Sequence, residues 1–250
     1  VKDVHGRFPA KESLAFKKGF LEKPLVDIWA YKLLEIIKER FPDYEYKKRT
    51  YTFISTLDID NAYAYKHRSI VRTVGGGLRD VYRLNVFNVW TRIAVLFNFR
   101  KDHFDTFSEI LKYKKEFNVR TIFFFLVADY TSYDTNISVS KRKFKLLIKE
   151  MVDYARVGLH PSYYTIKDAT LLKKEKERLE AITHIPTIRS RQHYLRFSMP
   201  KTYQNLIDLE IKEDYSMGYA SHTGFRASSC TPFYFYDLDF EIQTPLKIFP

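Results

Sequence analysis

Several features that define common protein classes are scarce in this chain of 250 residues. A single cysteine, Cys230, excludes an intrachain disulfide framework and a zinc site built from several cysteines. Eight glycines and nine prolines are too few for collagen-like or glycine-rich repeats. The longest apolar run, residues 121–128, has the length of a strand and falls far short of the roughly 20 residues of a membrane-spanning helix. The sequence therefore predicts a protein without a membrane span.

Aromatic side chains and positive charge are in excess. Aromatic residues make up 17% of the chain, and 42 lysines and arginines against 30 acidic residues give a net charge of +12. A hydrophobic share of 45% with a charged share of 29% is that of a globular protein and excludes wholesale disorder. The charge favours an anionic partner such as nucleic acid, a membrane surface or an acidic glycan, but a generally basic surface explains it equally well.

The two ends of the chain lead to expectations about its context. The N-terminal residues lack the charged start, apolar stretch and cleavage site of a signal peptide, which favours the cytoplasm without assigning a compartment. Residues 1–48 are interpreted as a helical lead-in that links to an upstream domain. Residues 49–250 are interpreted as one α/β domain that is truncated at its C-terminus, so we expect an excerpt of a longer protein.

Apolar patterning predicts an alternation of strands and helices. Helices are expected at 26–41, 105–117, 140–155, 169–182 and 202–209, and strands at 49–60, 120–129, 156–160, 187–195 and 213–220. Residues 61–100 interrupt the alternation and are interpreted as a helical insertion, in which the glycines at 75–77 predict a flexible turn. The alternation is typical of repeated βα units around a parallel sheet or barrel.

Charged and polar side chains collect where the predicted strands end. The residues concerned are Asp58, Asp60, Asp129, His160, Arg191, His193 and Asp214. In parallel α/β folds, catalytic and binding residues gather at the C-terminal ends of the strands. This placement predicts a functional site that is formed by successive strand ends.

Asp58 and Asp60 lie two residues apart and share one face of an extended strand. One carboxylate could bind a metal ion while the other accepts a proton from a water molecule. The structural alternative is that both residues cap the following loop or helix.

Four further residues have both a functional and a structural interpretation. His160 ends a short apolar strand, where an imidazole can bind a metal ion or be a hydrogen-bonded core residue. Arg191 and His193 share a face of the next predicted strand, where Arg191 could orient an acidic base and His193 could be a ligand or a general acid. A polar surface hairpin is the alternative. Arg226, in the small-residue loop 224–229, could bind a carboxylate or phosphate, or pair with a nearby acid.

Taken in order, TLDIDNAYAY, VGLHPSYY, RSRQHYLRF, DYSMGYA and GFRASSCTPFYFYDL resemble the polysaccharide deacetylase (NodB-like, carbohydrate esterase) family. They are most similar to a bacterial subgroup of polysaccharide deacetylase-like proteins. The resemblance covers residues 52–250. It implies an α/β fold that is a distorted, incomplete (β/α) barrel, and a metal-dependent hydrolase that removes acetyl groups from an N- or O-acetylated polysaccharide or glycan.

The resemblance also implies roles for residues at matching positions. Asp58 matches the catalytic base, and Arg191 matches the arginine that holds the base in place. Asp60 and His160 match metal ligands, and we infer that His193 supplies a third ligand from the next strand. The predicted cofactor is a divalent metal ion, Zn²⁺ first, with Mn²⁺, Ni²⁺ or Co²⁺ as alternatives.

Two departures from the family pattern accompany these matches. Tyr164 stands where the family has its second metal histidine, and the family's late Leu-x-His motif, which supplies the general acid, is expected beyond Pro250. Tyr194 falls near an aromatic position of the arginine motif. We predict that Tyr194, Asp214 and Arg226 bind substrate.

Three functions follow as hypotheses from these residues. The first is a metal-dependent carbohydrate deacetylase. The second is a carbohydrate-binding barrel of the same descent that has lost catalysis, which Tyr164 favours. The third, nucleic-acid binding, rests on the net charge alone and has no recognised motif behind it, so no nucleic-acid partner is predicted.

Overall fold

The structure is a computed structural model that describes all 250 residues, Val1–Pro250. Its strands are β1 (Ile54–Ile59), β2 (Arg120–Phe125), β3 (Arg156–Leu159), β4 (Arg189–Ser190), β5 (Glu213–Asp214), β6 (Phe233–Asp237) and β7 (Ile242–Ile248). Its helices are α1 (Leu14–Lys17), α2 (Leu25–Arg40), α3 (Ile70–Tyr82), α4 (Val86–Leu96), α5 (Phe107–Glu116), α6 (Arg142–Tyr154), α7 (Ala169–Thr183) and α8 (Lys201–Asp208). None of the helices has the length and hydropathy that crossing a bilayer requires.

The residues divide into two compact units, which we name by their strands. The β1–β3 unit comprises Phe53–His160 and Glu175–Ile185. The β4–β7 unit comprises Val1–Thr52, Pro161–Lys174 and Pro186–Pro250. Helix α7 contributes residues to both units.

Strand β2 is the centre of the β1–β3 unit. Its residues 122–125 are fully buried, and it pairs in parallel with β1 on one side and β3 on the other. A strand whose two faces are both covered needs such a continuous apolar run. The ring of Phe107 lies 6.4 Å from that of Phe123, and the ring of Phe144 lies 6.2 Å from that of Phe125, centroid to centroid.

Helix α6 packs its apolar face into this core. Phe144, Leu147, Ile148 and Met151 are buried and follow the spacing of one helical face. The lysines of the same helix lie on its exposed side.

Residues 61–100 contain the predicted helical insertion, α3 and α4. The glycines at 75–77 lie inside α3, so the predicted flexible turn is wrong. A Cβ at Gly76 would lie 2.9 Å from the Arg92 guanidinium, which itself pairs with Asp80 at 2.6 Å. The missing Cβ of Gly76 therefore leaves room for the Arg92 side chain of α4, and this glycine does not mark a turn.

The β4–β7 unit combines parallel and antiparallel pairing. Strand β5 pairs in parallel with β4 and with β7, and β6 pairs antiparallel with β7. Helix α8 buries Tyr203 and Leu206 completely. The Tyr203 ring stacks on Phe197 at 5.6 Å and meets Phe235 at 5.0 Å, which anchors the helix to the strands.

The strands predicted at 187–195 and 213–220 are wrong in length, because only two residues of each pair in a sheet. Beyond β4, the Gln192 backbone N–H donates to Ser216 Oγ instead of to a neighbouring strand. Beyond β5, Asp214 Oδ1 accepts the backbone N–H of Ser216 two residues on, which is the hydrogen bond of an Asx turn. Tyr194 has a left-handed φ of 60°, which ends extended structure there.

The predicted α/β class is confirmed, since both units combine parallel strands with helices. The five helices predicted between residues 26 and 209 are present, with ends that differ by at most two residues from the prediction. The domain boundary predicted after residue 48 stays a prediction.

Candidate functional site

Parallel pairing brings Asp60 and His160 to one edge of the β1–β3 unit. The register aligns Ile59 with Phe125, and Phe125 with Leu159, so the residues that follow β1 and β3 lie in one row. The hydrogen-bond ladder continues one step beyond the strands, because the His160 N–H donates to the Phe125 carbonyl at 3.0 Å. Both side chains therefore emerge at the carboxyl edge, where parallel sheets carry their chemistry.

The two side chains meet at this edge. His160 Nε2 lies 3.2 Å from Asp60 Oδ1, with the imidazole side chain 3% exposed and the aspartate side chain 49% exposed. An imidazole nitrogen and a carboxylate oxygen are donor types that Zn²⁺ and Mn²⁺ accept. The donor set thus fits a divalent metal ion, and the open side of Asp60 leaves solvent access.

Asp58 lies in β1, two residues before Asp60. Ile59, between the two aspartates, is 9% exposed, whereas Asp58 is exposed and Asp60 is half-buried. Side chains alternate along a strand, so Asp58 lies on the side opposite Ile59, and Asp60 follows directly after the end of β1. Asp58 is accessible to water, as a general base must be.

The loop after β1, residues 61–68, is held by a residue to which the sequence interpretation assigned no role. Asp102 is 1% exposed, and its carboxylate accepts the backbone N–H groups of Ala64, Tyr65 and Lys66 at 2.9, 2.9 and 3.0 Å. Burial raises the pKa of Asp102, but these hydrogen bonds outweigh burial, so the pKa is lowered. A loop next to the candidate site is thereby fixed by a buried negative charge.

A polar cleft of about 490 Å³ opens beside this loop. Its lining consists of Tyr63, Lys66, His67, Leu96, Asn98, Asp105 and Lys143. Lys66 Nζ donates to Asn98 Oδ1 at 2.7 Å. Burial first, and then the charges of Lys143 and Lys66, lower the pKa of His67. The cleft therefore combines two lysine side chains with the carboxylate of Asp105.

Asp214, a predicted substrate-binding residue, is fully buried in the β4–β7 unit. Its Oδ2 accepts the hydroxyls of Ser190 and Ser216 at 2.7 and 2.9 Å, and its Oδ1 accepts the Ser216 N–H at 2.9 Å. Burial raises the pKa of Asp214 to about 6, although these hydrogen bonds and Arg191 oppose the change. What the structure shows is a carboxyl that ties β4 to the loop after β5, and contact with substrate stays a prediction.

Arg191 and His193 do not share a strand face, because β4 ends at Ser190. Arg191 Nε donates to the Tyr215 carbonyl at 3.0 Å. His193 is 6% exposed and opens a 3₁₀ turn, where its backbone N–H donates to the carbonyl of Pro161 at 3.1 Å. Their predicted roles toward the base and the metal ion stay predictions.

Tyr194 lies in an aromatic cluster that includes the N-terminal segment. Its ring centroid is 5.4 Å from Tyr163 and 4.8 Å from His5, and Arg7 donates to its carbonyl at 2.8 Å. The Arg196 guanidinium lies 4.2 Å from the centroid of the Tyr163 ring. Sequence reasoning missed His5, since no spacing pattern connects it with residues more than 150 positions away.

Arg226 lies against aromatic rings of its own unit. Its guanidinium is 4.4 Å from the Phe197 ring centroid and 5.6 Å from that of Tyr219, and it donates to the Gly218 carbonyl at 3.1 Å. Burial lowers the pKa of Arg226. Its predicted binding of substrate stays a prediction.

Similarity to known proteins is partial in sequence and distant in structure. A family model described as "Family of unknown function (DUF7033)" matches residues 1–42. No curated protein matches the chain in sequence. Its structural neighbours include polysaccharide deacetylases. A proposed polysaccharide deacetylase from Mycobacterium smegmatis is 12% identical with a TM-score of 0.46, over 82% of this chain and 59% of its own.

Two further solved structures are similar at the same level. Puue allantoinase is 13% identical with a TM-score of 0.43, over 79% of this chain and 60% of its own. IcaB from Ammonifex degensii is 16% identical with a TM-score of 0.36, over 46% of this chain and 56% of its own. The alignment with this chain thus spans 56–60% of the length of these three proteins.

Proposed function

We propose that this protein is a metal-dependent hydrolase that removes acetyl groups from an acetylated polysaccharide or glycan. The observation that carries the proposal is the contact of His160 with Asp60 at the carboxyl edge of the β1–β3 unit, with the accessible Asp58 two residues earlier in β1. The sequence around these residues adds support, because TLDIDNAYAY and VGLHPSYY resemble motifs of the polysaccharide deacetylase family and of its bacterial deacetylase-like subgroup.

Asp60 and His160 would hold the metal ion, and we propose His193 as the third ligand. When bound, a divalent ion supplies a Lewis acid that polarises the acetyl carbonyl and lowers the pKa of water. One carboxylate and two imidazoles suit Zn²⁺, and the same donors accept Mn²⁺, Ni²⁺ or Co²⁺.

Asp58 acts in this proposal as the general base. It accepts a proton from the water whose oxygen attacks the acetyl carbon, and Arg191 keeps its carboxylate oriented. The bond between the acetyl carbon and the sugar nitrogen or oxygen then breaks. Acetate is released, and a proton passes to the leaving group.

Aromatic side chains of the β4–β7 unit would bind the sugar. Tyr194 is half-buried and Tyr164 is 40% exposed, and each ring contacts Tyr163, at 5.4 and 5.3 Å between centroids. Exposed rings supply an apolar face with a polar edge, which suits a pyranose ring. Asp214 and Arg226 are also proposed to bind substrate, and both are hydrogen-bonded within the same unit.

A carbohydrate-binding protein that has lost catalysis is the second candidate. Tyr164 favours it, because the resemblance places a metal histidine at this position. Saturable glycan binding without metal and without acetate release would support this candidate over the hydrolase.

Metal content tests the site directly. Purified protein and its His160→Ala variant are compared by elemental analysis after incubation with Zn²⁺, Mn²⁺ or Ni²⁺. We expect about one ion per chain in the unmodified protein and a loss in the variant, because the buried imidazole is a ligand. His103→Ala is the matched control, since His103 is exposed and should leave the metal content unchanged. An equal metal content in His160→Ala and His103→Ala would contradict a metal site at His160.

Acetate release from acetylated glycans tests the proposed base. Asp58→Asn should keep the metal ion and lower kcat by about 10²–10⁴-fold, the usual contribution of a general base. Asp153→Asn is the control, because Asp153 is an exposed residue of α6. Unchanged activity of Asp58→Asn would remove Asp58 from the mechanism.

A further inference from the structure

Helix α3 carries an apolar stripe that no part of the structure covers. Val71, Val74, Leu78 and Tyr82 are 81%, 55%, 66% and 89% exposed. Their spacing of three, four and four residues places them on one helical face. Val81, also 55% exposed, widens the same face.

Helix α4 repeats this arrangement. Val86, Trp90, Ile93 and Phe97 are 75%, 67%, 41% and 69% exposed, again at spacings of four, three and four residues. The stripe extends from the first residue of the helix to the residue after its end. We call residues 70–97 the α3–α4 hairpin.

These stripes are not needed to pack the two helices together. The buried residues of α4 lie elsewhere on the helix and include Arg92, Ala94 and Val95. Arg92 Nη2 contacts Asp80 at 2.6 Å, and it lies 2.9 Å from the position that a Cβ of Gly76 would take. Each helix therefore uses one face for its neighbour and leaves its apolar stripe exposed.

The accessible charges of this region are all positive. Between residues 69 and 100 there are five arginines and one acidic residue, Asp80, which is buried and paired with Arg92. Arg79, Arg83 and Arg100 are exposed. No acidic side chain lies on the outside of the hairpin to repel an anionic surface.

Helix α2 offers a comparison within the same chain. Trp29, Leu33 and Ile36 are 63%, 58% and 60% exposed, so α2 also carries surface apolar residues. Its sequence also contains Glu35 and Glu39, both exposed. Exposed apolar residues without any accessible acid are thus a property of the hairpin and not of every exposed helix.

We propose that the α3–α4 hairpin binds the surface of an anionic lipid bilayer, with its apolar stripes in the headgroup region and without spanning the membrane. Amphipathic helices with arginines beside an apolar face, and with Trp and Tyr at its border, bind in this way. Anionic lipids attract the arginines. A second copy of the same hairpin would instead bring Arg79 and Arg83 close to like charges.

The two tryptophans of the chain provide a matched pair of reporters, since Trp90 and Trp29 are 67% and 63% exposed. Trp29→Phe leaves Trp90 as the only tryptophan, and Trp90→Phe leaves Trp29. With phosphatidylcholine–phosphatidylglycerol vesicles, Trp90 emission should shift to shorter wavelength and be quenched by brominated acyl chains. Trp29 emission should change little.

Vesicle co-sedimentation tests the contribution of charge. The double variant Arg79→Gln/Arg83→Gln should bind anionic vesicles about tenfold more weakly or worse, because each surface arginine contributes to the attraction. Lys112→Gln/Lys115→Gln on α5 removes the same charge from exposed positions outside the hairpin and should change affinity less than about twofold. Added salt should weaken binding of the unmodified protein.

Three results would overturn the proposal. The first is an absence of any Trp90 response to anionic vesicles. The second is an equal response of Trp29 and Trp90, which would indicate unspecific adsorption. The third is a Trp90 shift that depends on protein concentration and needs no vesicles, since it would make a second copy the occupant. Far-UV circular dichroism of each variant confirms that the fold is retained.

Discussion

Asp102 in the β1–β3 unit and Asp214 in the β4–β7 unit are both fully buried, with 1% and 0% exposure. The pKa values of the two carboxyl groups are nevertheless shifted in opposite directions. Asp102 is surrounded by backbone N–H groups, and its pKa is lowered. Asp214 is surrounded mainly by serine hydroxyls, and burial raises its pKa to about 6. Burial alone therefore does not decide the charge state of an aspartate.

The difference lies in the hydrogen-bond partners. A backbone N–H can only donate, so the N–H groups around Asp102 favour its unprotonated carboxylate, in which both oxygens accept hydrogen bonds. A hydroxyl can donate or accept, so Ser190 and Ser216 can adapt to either protonation state of Asp214. The hydrogen bonds of Asp102 thus depend on its negative charge, whereas Asp214 can keep its hydrogen bonds when it is protonated.

The largest effect on stability should come from removing the carboxylate of Asp102. Asp102→Ala leaves the N–H groups of Ala64, Tyr65 and Lys66 without their acceptor, which should lower the free energy of unfolding by about 3–5 kcal/mol. Denaturant unfolding measures the change. Asp153→Ala, at an exposed position, should stay within about 0.5 kcal/mol. If Asp102→Ala lowered the free energy of unfolding by less than about 1 kcal/mol, the proposed difference between Asp102 and Asp214 would be wrong.

The next effect is a pH dependence that Asp214 alone should produce. Its pKa is raised from 3.8 to about 6, so the folded state holds a proton that the unfolded state has already released. The stabilisation is complete below pH 3.8 and is lost as the pH rises through about 6, which corresponds to about 3 kcal/mol. Asp214→Asn should remove this fall. The measurement is the free energy of unfolding of the protein and of the variant at acidic and at neutral pH. If both lost stability equally as the pH rises, Asp214 would not be the group responsible.

Asp27 should produce a pH dependence of stability that has the opposite sign and a smaller size. Burial raises its pKa, but hydrogen bonds from Thr231, Ser229, Cys230 N–H and Arg49 lower it from 3.8 to about 2. The resulting stabilisation is present above pH 3.8 and is lost as the pH falls toward 2, by about 1–2 kcal/mol. Acid titration of stability in Asp27→Asn, which should be flatter, checks this direction.

The smallest effect concerns Asp80, a buried carboxylate held by a cation. Gly76→Ala should push Arg92 away from Asp80 and destabilise the protein by about 1 kcal/mol. Gly75→Ala, which meets no atom within 4 Å in the same helix, should instead stabilise it by about 0.5–1 kcal/mol. Thermal unfolding of the two variants would contradict the packing argument if both shifted in the same direction.

The sequence was most informative where one element decides its own structure. The apolar run of β2 and the helical spacing of α6 predicted both elements, because burial of a strand or helix face leaves a local pattern. The positions of Asp60 and His160 at strand ends followed from the same patterns. It was least informative for β4 and β5, which end early because the Gln192 N–H donates to Ser216 Oγ and Asp214 accepts the N–H of Ser216.

By itself, the sequence determined the alternation of strands and helices, the excess of arginine around α3 and α4, and the residues that end β1 and β3. Only the tertiary structure decided that Asp102 holds the backbone 36 to 38 residues before it, that Gly76 makes room for Arg92, and that His160 meets Asp60 across β2. The physical reason is that hydrogen bonds and packing join residues far apart in the chain, and such pairs leave no periodic trace in the order of amino acids.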